Sequence, residues 1–329
     1  MSIFTTDFLE NIKKSITALY DRDKRLSEKG LFGENFWIVE KDMTEKYDKY
    51  SNGELTQKLN HSLLEHLPHT IPFTLRAKVF QHLTSTQQQE YSVFTHPMNI
   101  NRSAIFEDAY YKIYQQKFNL KNKLMIKFID EHGNAEEGID GGGLFKEFVT
   151  KLCDKIYDPE YAYFMENETD RKLMPNHTSK EFDNYRGMFK FFGMIIGKAL
   201  FEGVLLKCTF TKTFLNKLVK KSNQIDDLKT IDKQVYDNLM YIKYYEGDIE
   251  DLCLYMCYTD NILGKDITIN FVPGGQEIPV TNENKMQYVM LYANYILNKK
   301  DKEQSKAFVD GIHEVIDPKL LSMFFPEEI

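Results

Sequence analysis

The chain has 329 residues, 42% hydrophobic and 28% charged, with a net charge of −7. That length buries a sizeable core in one large domain or two to three smaller ones, and the interspersed charges leave no footprint for nucleic acid or an anionic membrane surface. Cys153, Cys208, Cys253 and Cys257 are too few and too irregular for a secreted disulfide framework, and MSIFTTDFLENIKK has no signal-peptide apolar core, so a reducing compartment, cytosol or nucleus, is expected.

The elements are read in chain order. Residues 7 to 30 place Phe8, Ile12, Ile16 and Leu19 at helical spacing, and Gly30 and Gly33 close the element. Residues 41 to 70 read as an irregular connector ending in prolines. TLRAKVFQHLT then puts Leu75, Val79, Phe80 and Leu83 on one helical face, with Thr74 as its N-cap. KLMIKFID, residues 123 to 130, reads as a buried strand, and EHGNAEEGIDGGG joins it to the helix LFKEFVTKLCDKIY. Arg186 to Leu206 reads as a long buried helix, whose Lys190, Lys198 and Glu202 argue against a membrane span and whose Gly193 and Gly197 share one face where another element packs closely. FTKTFLNKLVKK is a further helix. From about residue 222 the pattern predicts a small α/β insert: a helix in IDKQVYDNLMYIKYYEG, strands in DIEDLCLYMCY and ITINFV, and turn chemistry in PGGQEIPVT. NENKMQYVMLYANYILNKK and DKEQSKAFVDGIHEVI return to helix.

Three motifs invite chemistry. Gly141, Gly142 and Gly143 fall between a strand and a helix, the position of a phosphate cradle. A P-loop would end in Gly-Lys-Ser/Thr where Gly143-Leu144-Phe145 stands, and the dinucleotide fingerprint would need a small residue at Lys146. The expectation is a turn in which glycine lets backbones approach, with Asp140 capping the next helix. His61, His66 and His69, and the pair Cys253 and Cys257, lack a second ligand cluster at zinc spacing, and the cysteines fall in a predicted strand, on one face; no metal or cofactor is expected. Cys208 has no histidine near it in sequence to activate a thiol.

The insert carries more apolar surface than it can bury. LCLYMCY is apolar on both strand faces, and the preceding helix has one stripe of Val235, Leu239 and Ile242 and another of Tyr236, Met240 and Tyr244, with Tyr241 and Tyr245 alongside. A two-stranded module covers one such face. The second face either docks a protein partner or packs on the larger domain.

EEGIDGGGLFKEF, FKFFGMIIGKALFEGVLL, TFLNKLV, YEGDIEDL, GGQEIPVTNENKMQYV, YILNK and SKAFVDGIHEVI through MFFPEEI, in this order over residues 72 to 329, resemble the HECT-type ubiquitin ligases. LYDRDKR, FWI, IPFTLRAKVFQHL and FEDAYYKIY are most similar to the proteasome-associated, chain-extending subfamily. The resemblance implies a mainly α-helical α+β fold, an elongated N-terminal lobe of a bilobal domain. Residues 1–71 are then an N-terminal helix and irregular extension, 72–221 with 282–322 the large subdomain, 222–281 the small subdomain, and 323–329 the start of a hinge. It implies that a ubiquitin-conjugating enzyme charged with ubiquitin docks on the small subdomain at Val235, Leu239, Tyr241, Ile242, Tyr245, Cys253 and Tyr255, with Leu239 and Tyr245 as anchors. Ubiquitin then passes to a cysteine in a C-terminal lobe and, through that thioester, to a lysine of a protein substrate. The family's C-terminal lobe begins just after a Phe-Pro-Glu-Glu-Ile segment, so the lobe with the catalytic cysteine is expected beyond Ile329, and this chain alone is expected to bind a conjugating enzyme without transferring ubiquitin. The glycine run becomes a structural turn of the large subdomain. A non-enzymatic helical scaffold with a different partner is the alternative.

Overall fold

The computed structural model describes residues 6–26, 31–33, 36–38, 64, 67–92, 95–136, 143–207 and 209–329, and they divide into two units. The first unit joins the two ends of the chain, Met1–Gln89 with Asp317–Ile329; the second is Glu90–Ile316.

The first unit holds helix α1 (Thr6–Leu26), most of α2 (Phe73–Tyr91) and the short α3 (Pro318–Leu321). Tyr20 on α1 stacks on His69 with ring centroids 4.5 Å apart and meets Phe325 at 5.4 Å. Trp37 donates its indole N–H to Asp23 Oδ2 at 2.7 Å, which fixes the strand of chain after α1 against it. Leu75 and Val79 are buried on α2 as their spacing predicts. Thr74 is not the N-cap: the helix starts one residue earlier, at Phe73, where the Pro72 carbonyl receives the Leu75 and Arg76 N–H groups. Residues 323–329 are largely buried in this unit, with Met323, Phe324 and Phe325 each under one tenth exposed.

The second unit opens with a parallel pair, β1 (Thr95–Asn101) and β2 (Lys123–Ile129), in the register Met98 to Ile126 and Ile100 to Phe128. Leu124, Ile126 and Phe128 of β2 are buried, alternating as the sequence predicts. Helix α4 (Gly143–Ile156) follows the glycine run. A Cβ on Gly143 would meet nothing within 4 Å, so no close backbone approach explains that glycine; Gly141, Gly142 and the cap expected from Asp140 lie outside the described residues, as does most of the 41–70 connector.

Helix α5 (Tyr185–Phe201) is the axis of the unit, with Phe189, Phe191, Phe192, Ile195, Ala199 and Phe201 at most 1% exposed. It ends five residues before the expected Leu206. Gly203 adopts φ +68°, and the Val204 N–H returns to the Ala199 carbonyl at 2.8 Å, a left-handed C-terminal closure that glycine permits at little cost. Helix α6 (Lys212–Leu218) is capped by the Thr211 hydroxyl, and α7 (Leu228–Ile231) leads into α8 (Lys233–Tyr244), capped by the Asp232 carboxylate through the Val235 N–H.

The expected strand DIEDLCLYMCY is corrected. Residues Ile249–Leu252 form a 3-10 turn closed by Cys253 in the left-handed conformation, and strand β3 runs over Cys257–Ile262, paired antiparallel with β4 (Lys265–Asn270). Cys253 and Cys257 therefore do not share a strand face. The predicted helices at the end of the chain are α9 (Lys285–Asn294), continuing through a wide turn at Tyr295–Lys299, and α10 (Lys302–His313). The fold is mainly helical α+β, with small two-stranded sheets, as expected.

Candidate functional site

The surplus apolar surface of residues 235 to 258 is divided between a core and an open groove. Leu239 and Ile242 of α8, 2% and 8% exposed, join Ile249, Met256, Val280, Val289, Ala293 and Leu297 in one buried cluster. Leu239 and Ile242 belong to the first stripe; of the second, Tyr236 and Met240 pack half-buried against the same cluster, while Tyr244 does not. Three tyrosines stay largely in solvent: Tyr241 is 59%, Tyr244 69% and Tyr255 46% exposed.

Between them runs a groove of about 330 Å³. One wall is α8, through Val235, Asn238, Leu239, Tyr241 and Ile242; Leu252 and Leu254 flank it from the turn after Ile249, and Tyr288 and Tyr292 come from α9. The two tyrosines lie one helical turn apart, so both rings reach the same face. Burial pushes the Tyr288 phenol up to about 12 and raises that of Tyr292 too, so the α9 wall is uncharged at neutral pH. A cleft of this kind, apolar with aromatic rims and a few polar atoms, accepts an apolar or aromatic side chain from another protein.

Four of the seven positions expected for docking, Val235, Leu239, Tyr241 and Ile242, are brought together in this groove. Tyr245, Cys253 and Tyr255 do not line it. Tyr245 ends α8 and packs its ring 5.5 Å from that of Tyr241, while its carbonyl accepts from Lys285 Nζ at 2.6 Å, tying the end of α8 to the start of α9. Cys253 is exposed at φ +50° between the two leucines that flank the groove. Tyr255 pairs with Pro279 as an isolated antiparallel bridge. Asn238, Tyr288 and Tyr292 escape the sequence reading, and Leu252 and Leu254 enter it only as part of the apolar stretch LCLYMCY, outside the expected docking positions. The signal for the tyrosines was their i, i+4 spacing in KMQYVMLYANY, which marks a face without saying what it faces.

The described thiols differ in setting, and Cys253 is the exposed one. Cys153 is buried within α4, and burial pushes the Cys257 thiol up, the wrong direction for a thiolate. Cys208 lies outside the described residues. Among the described residues there is no group of three or more metal-ligating side chains, and no helix is long and apolar enough to cross a membrane.

Comparison with known proteins gives this geometry its context. The HECT-domain (ubiquitin-transferase) family matches residues 150–329. The chain is 30% identical over 340 residues to human ubiquitin-protein ligase E3B, covering 99% of this chain and 31% of that protein. It is 36% identical over 299 residues to a probable E3 ubiquitin protein ligase of Schizosaccharomyces pombe, covering 88% of this chain and 28% of the relative. With the E3 ubiquitin-protein ligase UPL6 of Arabidopsis thaliana it shares 35% identity over 278 residues, 83% of this chain and 27% of that one. The chain thus spans under a third of the length of these relatives. With more than half of its residues matched, the chain belongs to the HECT-domain ubiquitin-transferase family.

Proposed function

We propose that the chain is the N-terminal lobe of a HECT-type ubiquitin ligase, and that the groove on α8 receives an apolar loop of the ubiquitin-conjugating enzyme. The observation that carries this reading is an apolar groove flanked by exposed tyrosines on a chain whose relatives are named ubiquitin ligases. On this reading ubiquitin leaves the thioester of the conjugating enzyme for a cysteine outside this chain, and a substrate lysine then takes it from there. On this reading the chain alone binds and does not transfer; the buried Cys153 and the raised Cys257 thiol fit that division of labour.

The test is a calorimetric titration of the folded chain against a panel of ubiquitin-conjugating enzymes, with two variants. Tyr241→Ala removes an exposed ring from the groove wall and is expected to weaken binding by about 1–3 kcal/mol, the range of an interface anchor, with an unchanged melting temperature. Leu239→Ala, which the sequence alone offers as the natural probe, is expected to destabilise the fold by about 2–5 kcal/mol because that side chain is core at 2% exposure. Equal affinity of wild type and Tyr241→Ala for every enzyme that binds would remove the groove from the docking site.

A further inference from the structure

The net charge of the chain is not spread over it. Residues 222–281 contain eleven carboxylates and four lysines, a net −7 equal to that of the whole chain, so the other 269 residues balance. Several of these acids have duties in the fold. Asp232 caps α8, Asp248 receives the Glu250 N–H, Asp260 is buried against Lys300, and Asp226 and Asp237 pair with lysines three and four residues away. Glu246, Glu250 and Asp251 do not: each is exposed, and no ion pair among the described residues includes any of them.

These three carboxylates sit on the chain segment that builds the groove. Glu246 follows Tyr245, whose ring packs on Tyr241, and Asp251 directly precedes Leu252, the first of the two leucines flanking the cleft. The groove lining therefore carries no charged side chain, and three exposed carboxylates outside any described ion pair precede its Leu252 by one, two and six residues in the chain; these are termed its acidic rim. Charges placed around an apolar contact act on encounter and orientation more than on the bound contact itself, because they are felt over a Debye length while the floor is felt at contact.

Resting on the docking reading above, we infer that this rim selects, among conjugating enzymes, those whose docking loop is bordered by lysine and arginine side chains, and that it does so by raising the association rate. A conjugating enzyme with a neutral or acidic surface beside its loop meets the same apolar groove without the attraction and associates slowly. The rim discriminates on the way in, and the groove holds what arrives.

The experiment is stopped-flow association of the full chain with each conjugating enzyme that binds in the titration, at about 20 mM and about 300 mM salt, conditions under which the screening length differs severalfold. The variant is Glu246→Gln with Glu250→Gln and Asp251→Asn; Asp248 is left intact because it holds the turn. The expected result is an association rate about tenfold lower at low salt, a flattened salt dependence and a dissociation rate unchanged within about twofold. Tyr241→Ala is expected to do the reverse, raising the dissociation rate with the salt dependence intact. An unchanged association rate and salt slope in the triple variant, with binding retained, would overturn the rim while leaving the groove standing. Absence of binding by every conjugating enzyme to folded wild-type protein would overturn both.

Discussion

His177 illustrates how a single side chain can make stability depend on pH. Its Nε2 lies 3.4 Å from Asp260 Oδ2, yet the two are not aligned for a hydrogen bond and neither atom has another partner. The other Asp260 oxygen accepts from Lys300 Nζ at 3.2 Å and the Tyr258 hydroxyl at 3.3 Å. Burial, with the positive charges of Lys300 and Lys180, lowers the His177 pKa below its ordinary value, outweighing Asp260 and Asp301. The imidazole is therefore neutral in the folded protein at pH 7. Because the folded pKa is lower than the unfolded value of about 6.5, the unfolded state takes up the proton first as pH falls. Stability is full above about pH 6.5 and is lost as pH drops below it toward the folded pKa. Thermal melts at pH 7.5 and pH 5.5 are expected to show a lower midpoint at the acidic pH, and His177→Gln should shrink that difference. A difference of the same size in the variant would assign the acid sensitivity elsewhere. Nothing in the sequence singles out His177, since most of the charges that act on it come from far along the chain, at residues 260, 300 and 301.

At the scale of elements, the crossing of α5 and α10 was half legible. The Gly193 and Gly197 spacing predicts a face for close packing, and the structure supplies the partner helix that one sequence cannot name. A Cβ on Gly193 would stand 1.9 Å from the Phe308 carbonyl oxygen, and one on Gly311 of α10 would stand 2.0 Å from that of Lys190, so each helix lays a glycine against the other's backbone. Backbone does not rotate away as a side-chain tip does. Gly193→Ala is expected to cost at least the upper part of the range of about 1–3 kcal/mol for overpacking, although alanine is the better helix former, and urea denaturation will read it. A stabilised Gly193→Ala would mean that the helices are free to separate. Other elements were illegible for identifiable reasons. β1 carries Pro97 and two asparagines, a composition that speaks against a strand, and is held by its parallel pairing with β2. LCLYMCY alternates well enough to read as a strand, but Cys253 at φ +50° breaks the period, and the pairing starts only at Cys257. The β3 to β4 turn uses Leu263 at φ +50° before Gly264 at φ +82°, where the usual signal is Asn-Gly. The candidate groove was legible in the helix that forms one wall and illegible in the other wall, because Tyr288 and Tyr292 arrive 44 and 48 residues beyond the end of that helix at Tyr244.

At the scale of the whole molecule, the first unit is discontinuous, and its two chain segments are joined by a buried charge. Arg76 of α2, 3% exposed, spends its guanidinium on four contacts. Nε donates to the Ile71 carbonyl at 2.9 Å, Nη1 to the Met323 carbonyl and Glu328 Oε2 at 2.6 Å each, and Nη2 to Glu328 Oε1 at 2.7 Å. Glu328 Oε2 also accepts the Phe325 N–H at 2.8 Å, and the Phe325 ring lies 5.1 Å from the guanidinium. The planar fork of arginine fits a carboxylate with two bonds at once, which lysine does not reproduce. A paired buried charge adds little over an apolar substitute, whereas removing one partner strands the other. Glu328→Gln leaves Arg76 buried without its counter-charge and is expected to destabilise the first unit by about 3 kcal/mol, the lower end for a broken buried pair, since Glu328 keeps a fifth of its side chain in water. Arg76→Met together with Glu328→Gln should recover part of that loss, because the stranded charge is gone and the methionine fills much of its space. Hydrogen exchange separates this from a global effect: amides of α2 in the first unit and of residues 317–329 should lose protection in Glu328→Gln, while those of α5 and α10 keep theirs. Equal loss in both units would mean that the pair holds the chain as one cooperative body, and the division into two units would then describe geometry without describing stability.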